Sequence, residues 1–598
     1  MITQLIHREL YDPHWTEVEY KSVLRGRDFL GVETLSESIL ADLLPGINNQ
    51  TRRARYYSFW AWVLRDFIND PGVKHTQDNF YAWLRKREDA LILAYLAHDC
   101  QSGIAGTDQA GEVWGDGSKT AYPLDWKSLL SVDGGAYELY YRGALQEMNI
   151  VVANDESNHD NLTKTIGLSL ADAYAQSVAN TEYVQTYLDA TRLSKAALED
   201  FAEYGCLCQL PQFELERRAL IDAFFRFDSP DAYAIKRLAS ICLFLDIIGQ
   251  SQGQPLTNQL DLRSVLYFWS YTDKHVYQPA GNLLEPAQRW RSFQLRQYFV
   301  FAIQSFWSLF LNRIDGQTMS DEAYLDWVLT DLDLAELANE LDFDLPTTDA
   351  YALSVRTFYE AIRDALPEGT LGPGPAAYQT KLNERLLTNP IWGRRTNLDI
   401  QVRAGKALLT LVLIYWRCQP WRDEPGWIYA SDRYAAGHHP LESYLRHVER
   451  AFAEEWSLAR WLGWFHHRYL WLQHRRVTLE KLISRRQDTA KFEVLDTAPP
   501  ELHGNGDSAK ATFFRGLDTD RPKMNAPRFP SILSIMSDLK LILSTEQGGY
   551  ELTPDGIALL EQFRTYSVPA WQESVADSPE DTTLPQLALD DDEAAELA

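Results

Sequence analysis

Residues 529–543 read FPSILSIMSDLKLIL, and residues 550–560 read YELTPDGIALL. Apolar side chains recur every three or four residues through most of the first stretch, and then follow one another at its end. This change of spacing predicts an amphipathic helix that leads directly into a short strand at 541–543. The apolar face of the helix is formed by Ile532, Ile535, Met536 and Leu539.

The residues that follow predict a hairpin and then another helix. The pair Gly548-Gly549 favours a tight turn into a second strand, 550–553. Pro554 suits the first turn of a helix, and Thr553 before it suits the N-cap. The order helix, hairpin, helix resembles the end of a winged-helix domain, and the resemblance includes the Leu-Thr-Pro-x-Gly sequence that leaves the wing.

A similar pattern lies earlier in the chain, at 140–175. Residues 141–152 read YRGALQEMNIVV and predict a helix that runs into a strand. Leu162, Thr163 and Gly167 then open a helix rich in Leu and Ala. The pattern predicts either a second winged helix near 120–175 or an unrelated helical hairpin.

The predicted fold class is therefore mainly α, with a multi-domain helical body and a C-terminal winged helix. A chain of 598 residues is too long for one hydrophobic core. Composition and the positions of Pro and Gly predict five regions. They are an N-terminal helical domain (1–90), a mixed region (91–195), a helical body ending in a basic helix (196–500), the winged helix (501–568) and an acidic disordered tail (569–598).

The net charge of −27 excludes binding of nucleic acid over the whole surface, so any such contact needs a local basic patch. One basic run leads into the predicted winged helix, where it could bind phosphate while a helix in the major groove reads bases. The alternatives are a solvated helix face or a dock for the protein's own acidic surface. The predicted nucleic-acid-binding residues of this run are Arg468, Arg475, Arg476, Lys481, Arg485, Arg486, Lys523, Arg528, Ser531 and Ser534.

Arg52 and Arg53 complete the predicted nucleic-acid-binding set. Thr51 predicts the N-cap of a helix over 52–68, so these arginines and Arg55 would lie in its first turn. Positive charge there opposes the helix macrodipole. We therefore expect the arginines to be held by an acidic surface of the protein itself or by a phosphate.

Motifs for catalysis and metal binding are weak, so the sequence favours a protein that is not an enzyme and needs no cofactor. Arg468 and His474 fit the R-x(4–6)-H pattern of HEPN-type ribonucleases, and this reading would fail if His474 were buried in the core. Cys206 and Cys208 have no second Cys or His pair close in sequence. They are predicted to be buried free thiols rather than metal ligands.

The function expected from these features is a non-enzymatic, nucleic-acid-binding component of a larger assembly, with duplex DNA favoured. The alternatives are a HEPN-type ribonuclease and a winged-helix transcriptional regulator. Residues 43–58, the basic helix and residues 525–529 together resemble large helical proteins of prokaryotic anti-phage defence loci. That resemblance implies protein partners, for which the acidic tail is a candidate contact, but it carries no functional residues over to this chain.

The expected location is the cytoplasm, without membrane contact. The longest apolar stretches are shorter than the ~20 residues that a membrane span requires.

Overall fold

The computed structural model of the protein describes residues 28–571, apart from 101–103, 125, 127, 130–131, 155–158, 230, 253–255, 257–258, 393–399, 432–438, 484–490, 496–511, 519, 526–527, 547 and 570. Helices make up 63% of the structure and the strands are few and short, which confirms the predicted mainly α class. Among the described helices, none has the length and apolar content that crossing a membrane would need.

The first part of the chain forms helices that surround one core. They are α1 (Val32–Leu43), α2 (Arg55–Asn69), α3 (Gln77–Ala97), α4 (Thr107–Trp114), α5 (Arg142–Glu147), α6 (Ile166–Val178), α7 (Glu182–Thr186), α8 (Lys195–Gly205), α9 (Glu214–Phe224), α10 (Ala232–Gln250) and α11 (Gln259–Phe268). A π-helical turn, Tyr137–Tyr141, precedes α5, and a 3-10 turn, Leu207–Gln212, precedes α9.

The rest of the chain begins with a long helix, α12 (Leu284–Ile314). It is followed by α13 (Asp321–Asp331), α14 (Leu334–Leu341), α15 (Val355–Asp364), α16 (Pro375–Gln379), α17 (Glu384–Trp392), α18 (Ile400–Cys418), α19 (Leu441–Ala453), α20 (Leu458–Phe465), α21 (Leu472–Ile483), α22 (Phe529–Asp538) and α23 (Pro554–Thr565). A π-helical turn, His466–Trp471, joins α20 to α21, and shorter 3-10 turns lie at Gly281–Leu283, Gln419–Trp421 and Pro425–Ala430.

Many of these helices begin at a capping side chain that accepts a hydrogen bond from a backbone N–H of the first turn. The side-chain oxygen thereby accepts a hydrogen bond from an N–H group that has no partner within the helix. These N-caps are Thr76, Thr181, Ser194, Asp231, Ser320, Asp333, Ser354, Ser457 and Thr553. The predicted cap at Thr553 is confirmed.

The described strands form small antiparallel sheets. They are β1 (Ala121–Pro123), β2 (Val151–Val152), β3 (Asn161–Leu162), β4 (Arg192–Ser194), β5 (Thr318–Ser320), β6 (Phe492–Leu495), β7 (Phe513–Gly516), β8 (Ile542–Ser544) and β9 (Tyr550–Leu552). β1 pairs with β4, β2 with β3 and β8 with β9, while β7 lies between β5 and β6. In the two hairpins Val151 lies opposite Leu162, and Ile542 lies opposite Leu552.

Two hydrophobic cores meet along α12. Trp290 and Phe293, near its start, belong to the first core, whereas most of the buried apolar residues from Leu295 to Ile314 belong to the second. A helix of this length spans about 46 Å, enough to pass through both cores.

The two cores are not consecutive in sequence. Phe29, Leu30 and Val32 pack in the second core, while the apolar side chains of α22 and α23 pack in the first. The connecting segment before α22 lies along α12, where Lys523 N donates to Gln304 Oε1 and Asn525 N donates to Gln297 Oε1. The predicted regions 1–90 and 501–568 thus contribute to cores that they share with other regions.

A carboxyl group is buried in the first core, on α3. Glu88 accepts hydrogen bonds from Ser128 Oγ at 3.0 Å and from Ala136 N at 3.1 Å. Gly135 faces it with a positive φ of 60°, and a Cβ added there would lie 2.0 Å from Glu88 Oε2. Burial raises the pKa of Glu88 from 4.5 to about 7, against the opposing effect of these two hydrogen bonds.

We predict that ionisation of Glu88 lowers the free energy of unfolding as the pH rises. Because its pKa is higher in the folded chain, the folded state holds a proton between about pH 4.5 and 7 that the unfolded state has released. Its contribution is fully present below pH 4.5 and is lost as the pH rises through 7, by about 3 kcal/mol. In urea unfolding, Glu88→Gln should therefore gain about 2–3 kcal/mol over wild type between pH 5 and 8.

The variant Glu112→Gln, at an exposed position on α4, is the control for the loss of one negative charge. The interpretation fails if Glu88→Gln follows the wild-type pH profile, or if Glu112→Gln departs from that profile equally.

Candidate nucleic-acid interface

The chain contains two helix–hairpin–helix units with the same local hydrogen bonds. The first unit consists of α5, β2, β3 and α6, and the second of α22, β8, β9 and α23. Two residues after the helix that precedes each hairpin, the backbone has a positive φ, 55° at Asn149 and 56° at Lys540. The next residue turns back to the helix: Ile150 N donates to Leu145 O, and Leu541 N donates to Met536 O.

A threonine closes each hairpin in the same way. Thr163 Oγ1 donates to Asn149 O at 2.8 Å, and Thr553 Oγ1 donates to Lys540 O at 2.6 Å. The same hydroxyls accept the N–H groups of Gly167 and Gly556, at 2.9 and 3.1 Å. The second helix of each unit therefore begins against the first strand of its own hairpin.

Each of these glycines is required by a close approach of two backbone segments. A Cβ at Gly167 would lie 2.3 Å from Ile150 O, and a Cβ at Gly556 would lie 2.2 Å from Leu541 O. The contact is with backbone, which cannot move aside as the end of a flexible side chain can. The Leu-Thr-Pro-x-Gly sequence therefore ends in glycine because no larger residue fits at that position.

The two units hold one loop between them, residues 44–54, which we call the interunit loop. On one side the Glu147 carboxylate, at the end of α5, accepts the N–H of Gly46. On the other side the Asp538 carboxylate, at the end of α22, accepts the N–H of Ala54 at 3.0 Å. Glu147 and Asp538 each lie two residues before the positive-φ residue of their unit, so equivalent positions hold the two ends of the loop.

Further contacts fix the middle of the interunit loop. Asn48 Nδ2 donates to Tyr140 O at 2.9 Å, and Tyr141 Oη donates to Gln50 O at 3.3 Å. Arg528, at the start of α22, donates to Leu44 O at 3.2 Å. The loop backbone is therefore held along its length.

The arginines of this region have different environments. Arg53 is buried and forms an ion pair with Asp538, with its Nη2 2.8 Å from Oδ1. Desolvation raises the pKa of the Asp538 carboxyl, and the Arg53 guanidinium opposes that rise. Arg55, also buried, pairs with Glu216 at 2.8 Å. For these two arginines an internal acidic partner, one of the two predicted explanations, is confirmed.

Arg52 is different, because it is exposed beside the half-buried Asn49 and the exposed Gln50. Its Nε donates to Asn49 O at 2.9 Å. Within the part of the chain that the structure describes, no carboxylate forms an ion pair with Arg52. The outer side of the interunit loop therefore presents one guanidinium, of Arg52, and two amide side chains, of Asn49 and Gln50.

Helix α2 begins later than predicted. It starts at Arg55 rather than at residue 52. Thr51 does not cap it, because its hydroxyl instead accepts the N–H of Asn48 inside the loop, at 2.8 Å.

Three predicted nucleic-acid-binding residues are buried, which corrects the predicted surface. Ser531 is 1% exposed and Arg528 is 6% exposed, with Arg528 Nη2 also 3.4 Å from Glu37. Arg53 is the third, since it is buried in its ion pair with Asp538. Packing on several sides of α22 removes Arg528 and Ser531 from any external phosphate, and the ion pair with Asp538 holds Arg53 inside.

The other predicted residues are spread over the molecule. Ser534 is half-buried on α22, and Lys523 is exposed with its Nζ 3.4 Å from Glu33. Arg468 and Arg475 are half-buried and Arg476 is exposed, all three around the second core. The side chain of Lys481 and the whole of Arg485 and Arg486 lie outside the described residues.

His474, proposed with Arg468 as a ribonuclease pair, lies inside the second core. It is 2% exposed, and its ring lies 4.8 Å from that of Trp307. Its Nδ1 donates to Phe29 O at 3.0 Å, and its Nε2 accepts the N–H of Lys491 at 3.1 Å. Both ring nitrogens are thus engaged with backbone, so the ribonuclease alternative fails by the criterion set from the sequence.

Sequence reasoning missed one constellation of side chains. His98 and Cys100, just after α3, lie against Cys206 and Cys208, which precede and open the 3-10 turn Leu207–Gln212. Cys100 Sγ is 3.2 Å from Cys206 Sγ and 3.0 Å from Cys208 Sγ, and His98 Nδ1 is 3.2 Å from Cys208 Sγ. Cys206 and Cys208 have no second ligand pair close in sequence, but the fold brings one to them from about a hundred residues earlier.

A sequence signal for this cluster did exist. His98-x-Cys100 and Cys206-x-Cys208 have the same spacing, and each pair stands at the end of a helix. The long separation of the pairs hid the relation.

Comparisons of the chain with protein-family models, with curated proteins and with solved structures give no match.

We predict that the glycine that follows each hairpin tolerates no side chain. Gly167→Ala and Gly556→Ala should each destabilise the protein by several kcal/mol, because the added Cβ meets a carbonyl oxygen that belongs to the unit's own hairpin. The measurement is the midpoint of thermal unfolding.

Gly143→Ala on α5 and Gly111→Ala on α4 are matched controls, because a Cβ at either position meets nothing within 4 Å. Both should raise stability by about 0.5–1 kcal/mol through helix propensity. Equal effects at all four positions would contradict the packing described for the two units.

Proposed function

We propose that the protein is a non-enzymatic component of a larger assembly that binds duplex DNA through the interunit loop. In this proposal the two helix–hairpin–helix units are winged-helix modules. The observation that carries it is that two units with the same hydrogen bonds hold one loop, whose outer side presents Asn49, Gln50 and Arg52.

The chemistry of the exposed loop suits the sugar–phosphate backbone. A guanidinium makes charge-assisted hydrogen bonds to phosphate, and amide side chains add neutral donors. A loop whose backbone is already fixed loses little conformational entropy on binding. The net charge of −27 repels DNA from much of the remaining surface, so it favours approach through this loop.

The proposal does not use α22 as a helix that enters the major groove. Seven of its ten residues are buried, and among them are Ser531 and Asp538. Base readout by this helix, expected from the sequence, is therefore not part of the proposed contact. Binding that relies on phosphate contacts depends strongly on salt and only weakly on base sequence.

Two sequence-based expectations stay predictions. The basic residues Arg468, Arg475 and Arg476 lie around the second core and are a separate candidate surface. A role in anti-phage defence, with protein partners, rests on the resemblance of the sequence alone.

The test measures the affinity for a duplex oligonucleotide by fluorescence anisotropy over a range of salt concentrations. Replacing Arg52 by Gln should weaken binding for every sequence tried. It should also reduce the slope of log K against log salt by about 1, because one phosphate contact is lost.

Arg363→Gln, on α15 in the second core, is the matched control, since it removes one partly exposed arginine elsewhere. It should leave both affinity and slope unchanged. The proposal is rejected if the wild-type protein does not bind DNA, or if Arg52→Gln binds with the wild-type affinity and slope.

A further inference from the structure

We propose that His98, Cys100, Cys206 and Cys208 bind one zinc ion that stabilises the first core. Their ligand atoms all lie within 4.8 Å of one another, so they fit around a single ion. Three thiolates and one imidazole form a Cys₃His set, which is a common ligand set of structural zinc sites. Soft sulfur ligands disfavour magnesium and calcium, which prefer oxygen. This inference is independent of the proposed DNA binding.

The distances separate this arrangement from a disulfide. The three Sγ–Sγ distances are 3.0, 3.2 and 3.5 Å, well above the ~2.05 Å of a disulfide bond. A tetrahedral zinc ion with bonds of about 2.3 Å holds its sulfur ligands about 3.8 Å apart. Small movements of the side chains would therefore complete the tetrahedron.

The surroundings of the cluster are those of a metal site. The Gln209 side-chain amide lies 2.9 Å from His98 Nε2, on the side of the ring away from the thiols. With the oxygen of this amide facing Nε2, Gln209 would accept the N–H of a histidine that binds zinc through Nδ1. Polar groups that orient a ligating histidine in this way are usual at metal centres.

The backbone that carries the cysteines is also anchored. Arg55 Nη1 donates to Cys206 O at 2.7 Å, and Arg53 Nη2 donates to Leu207 O at 3.1 Å. Zinc with three thiolates carries a net charge of −1, which these nearby guanidinium groups favour. Arg53 in the interunit loop and Arg55 at the start of α2 thus also hold the cysteine-bearing turn.

The expected role is structural. Four protein ligands leave no open position for water or substrate. The ion would join the end of α3 to a turn that lies about a hundred residues later, and so would close a long loop of the first core. Binding to the folded state alone stabilises it.

The test is metal analysis of the purified full-length protein by inductively coupled plasma mass spectrometry. We expect about one zinc per chain that survives dialysis. Replacement by cobalt(II) should give the visible absorption of a tetrahedral thiolate complex. Cys208→Ser should lose the ion, whereas Cys418→Ser, which removes a buried thiol from the second core, should keep it.

Two further measurements keep the test decisive if Cys208→Ser does not fold. His98→Cys preserves four ligands and should retain zinc. Removal of the ion from the wild type with a strong chelator should lower the thermal midpoint. The proposal is overturned by wild-type protein that holds no zinc after expression with zinc, by iron in its place, or by a folded Cys208→Ser with full zinc content.

Discussion

Two guanidinium groups are buried at the start of α2, and each needs a carboxylate from a distant part of the chain. Burying an unpaired charge costs several kcal/mol, so Arg53 and Arg55 can enter the core only with Asp538 and Glu216 in place. The macrodipole of α2 opposes positive charge at this position, which makes the carboxylates more necessary. The Arg53 pair joins residues 485 positions apart. Packing of the C-terminal unit on the first core is therefore tied to the interunit loop.

The same arginines connect two features with separate proposed roles. On the inner side they donate to the backbone that carries Cys206 and Cys208, where we infer a zinc ion. They also lie where the interunit loop meets α2, next to Arg52, where we propose a DNA contact. One set of ion pairs thus supports both positions, although neither proposal needs the other to hold.

Local patterns in the sequence predicted the C-terminal helix–hairpin–helix segment well. Helix spacing, the double glycine and the Thr553-Pro554 cap all act within a few residues, and α22, β8, β9 and α23 follow the predicted order. The order at 140–175 also has a helix, a hairpin and a helix. The unfavourable charge near the start of α2 indicated that a partner holds these arginines, either a carboxylate or a phosphate, and for Arg53 and Arg55 the partner is a carboxylate of the protein itself.

Long-range packing was not predictable in the same way. Arg528 and Ser531 carry polar groups that suggested an exposed face, but α22 is covered on several sides by the first core. The thiol cluster joins two short motifs about a hundred residues apart, and no local pattern links them. His474 matched a short catalytic pattern, yet its neighbours in space are Phe29 and Trp307.

Hydrogen exchange of the interunit loop tests the central claim most directly, because Asp538 and Glu147 accept the amides of Ala54 and Gly46. Peptides that cover residues 46–54 should exchange slowly in the wild-type protein, although they belong to a loop. In Asp538→Ala the same peptides should exchange much faster, while those from α18 in the second core keep their wild-type rates. Rapid exchange of the loop in the wild-type protein, or equal protection in Asp538→Ala, would contradict the account.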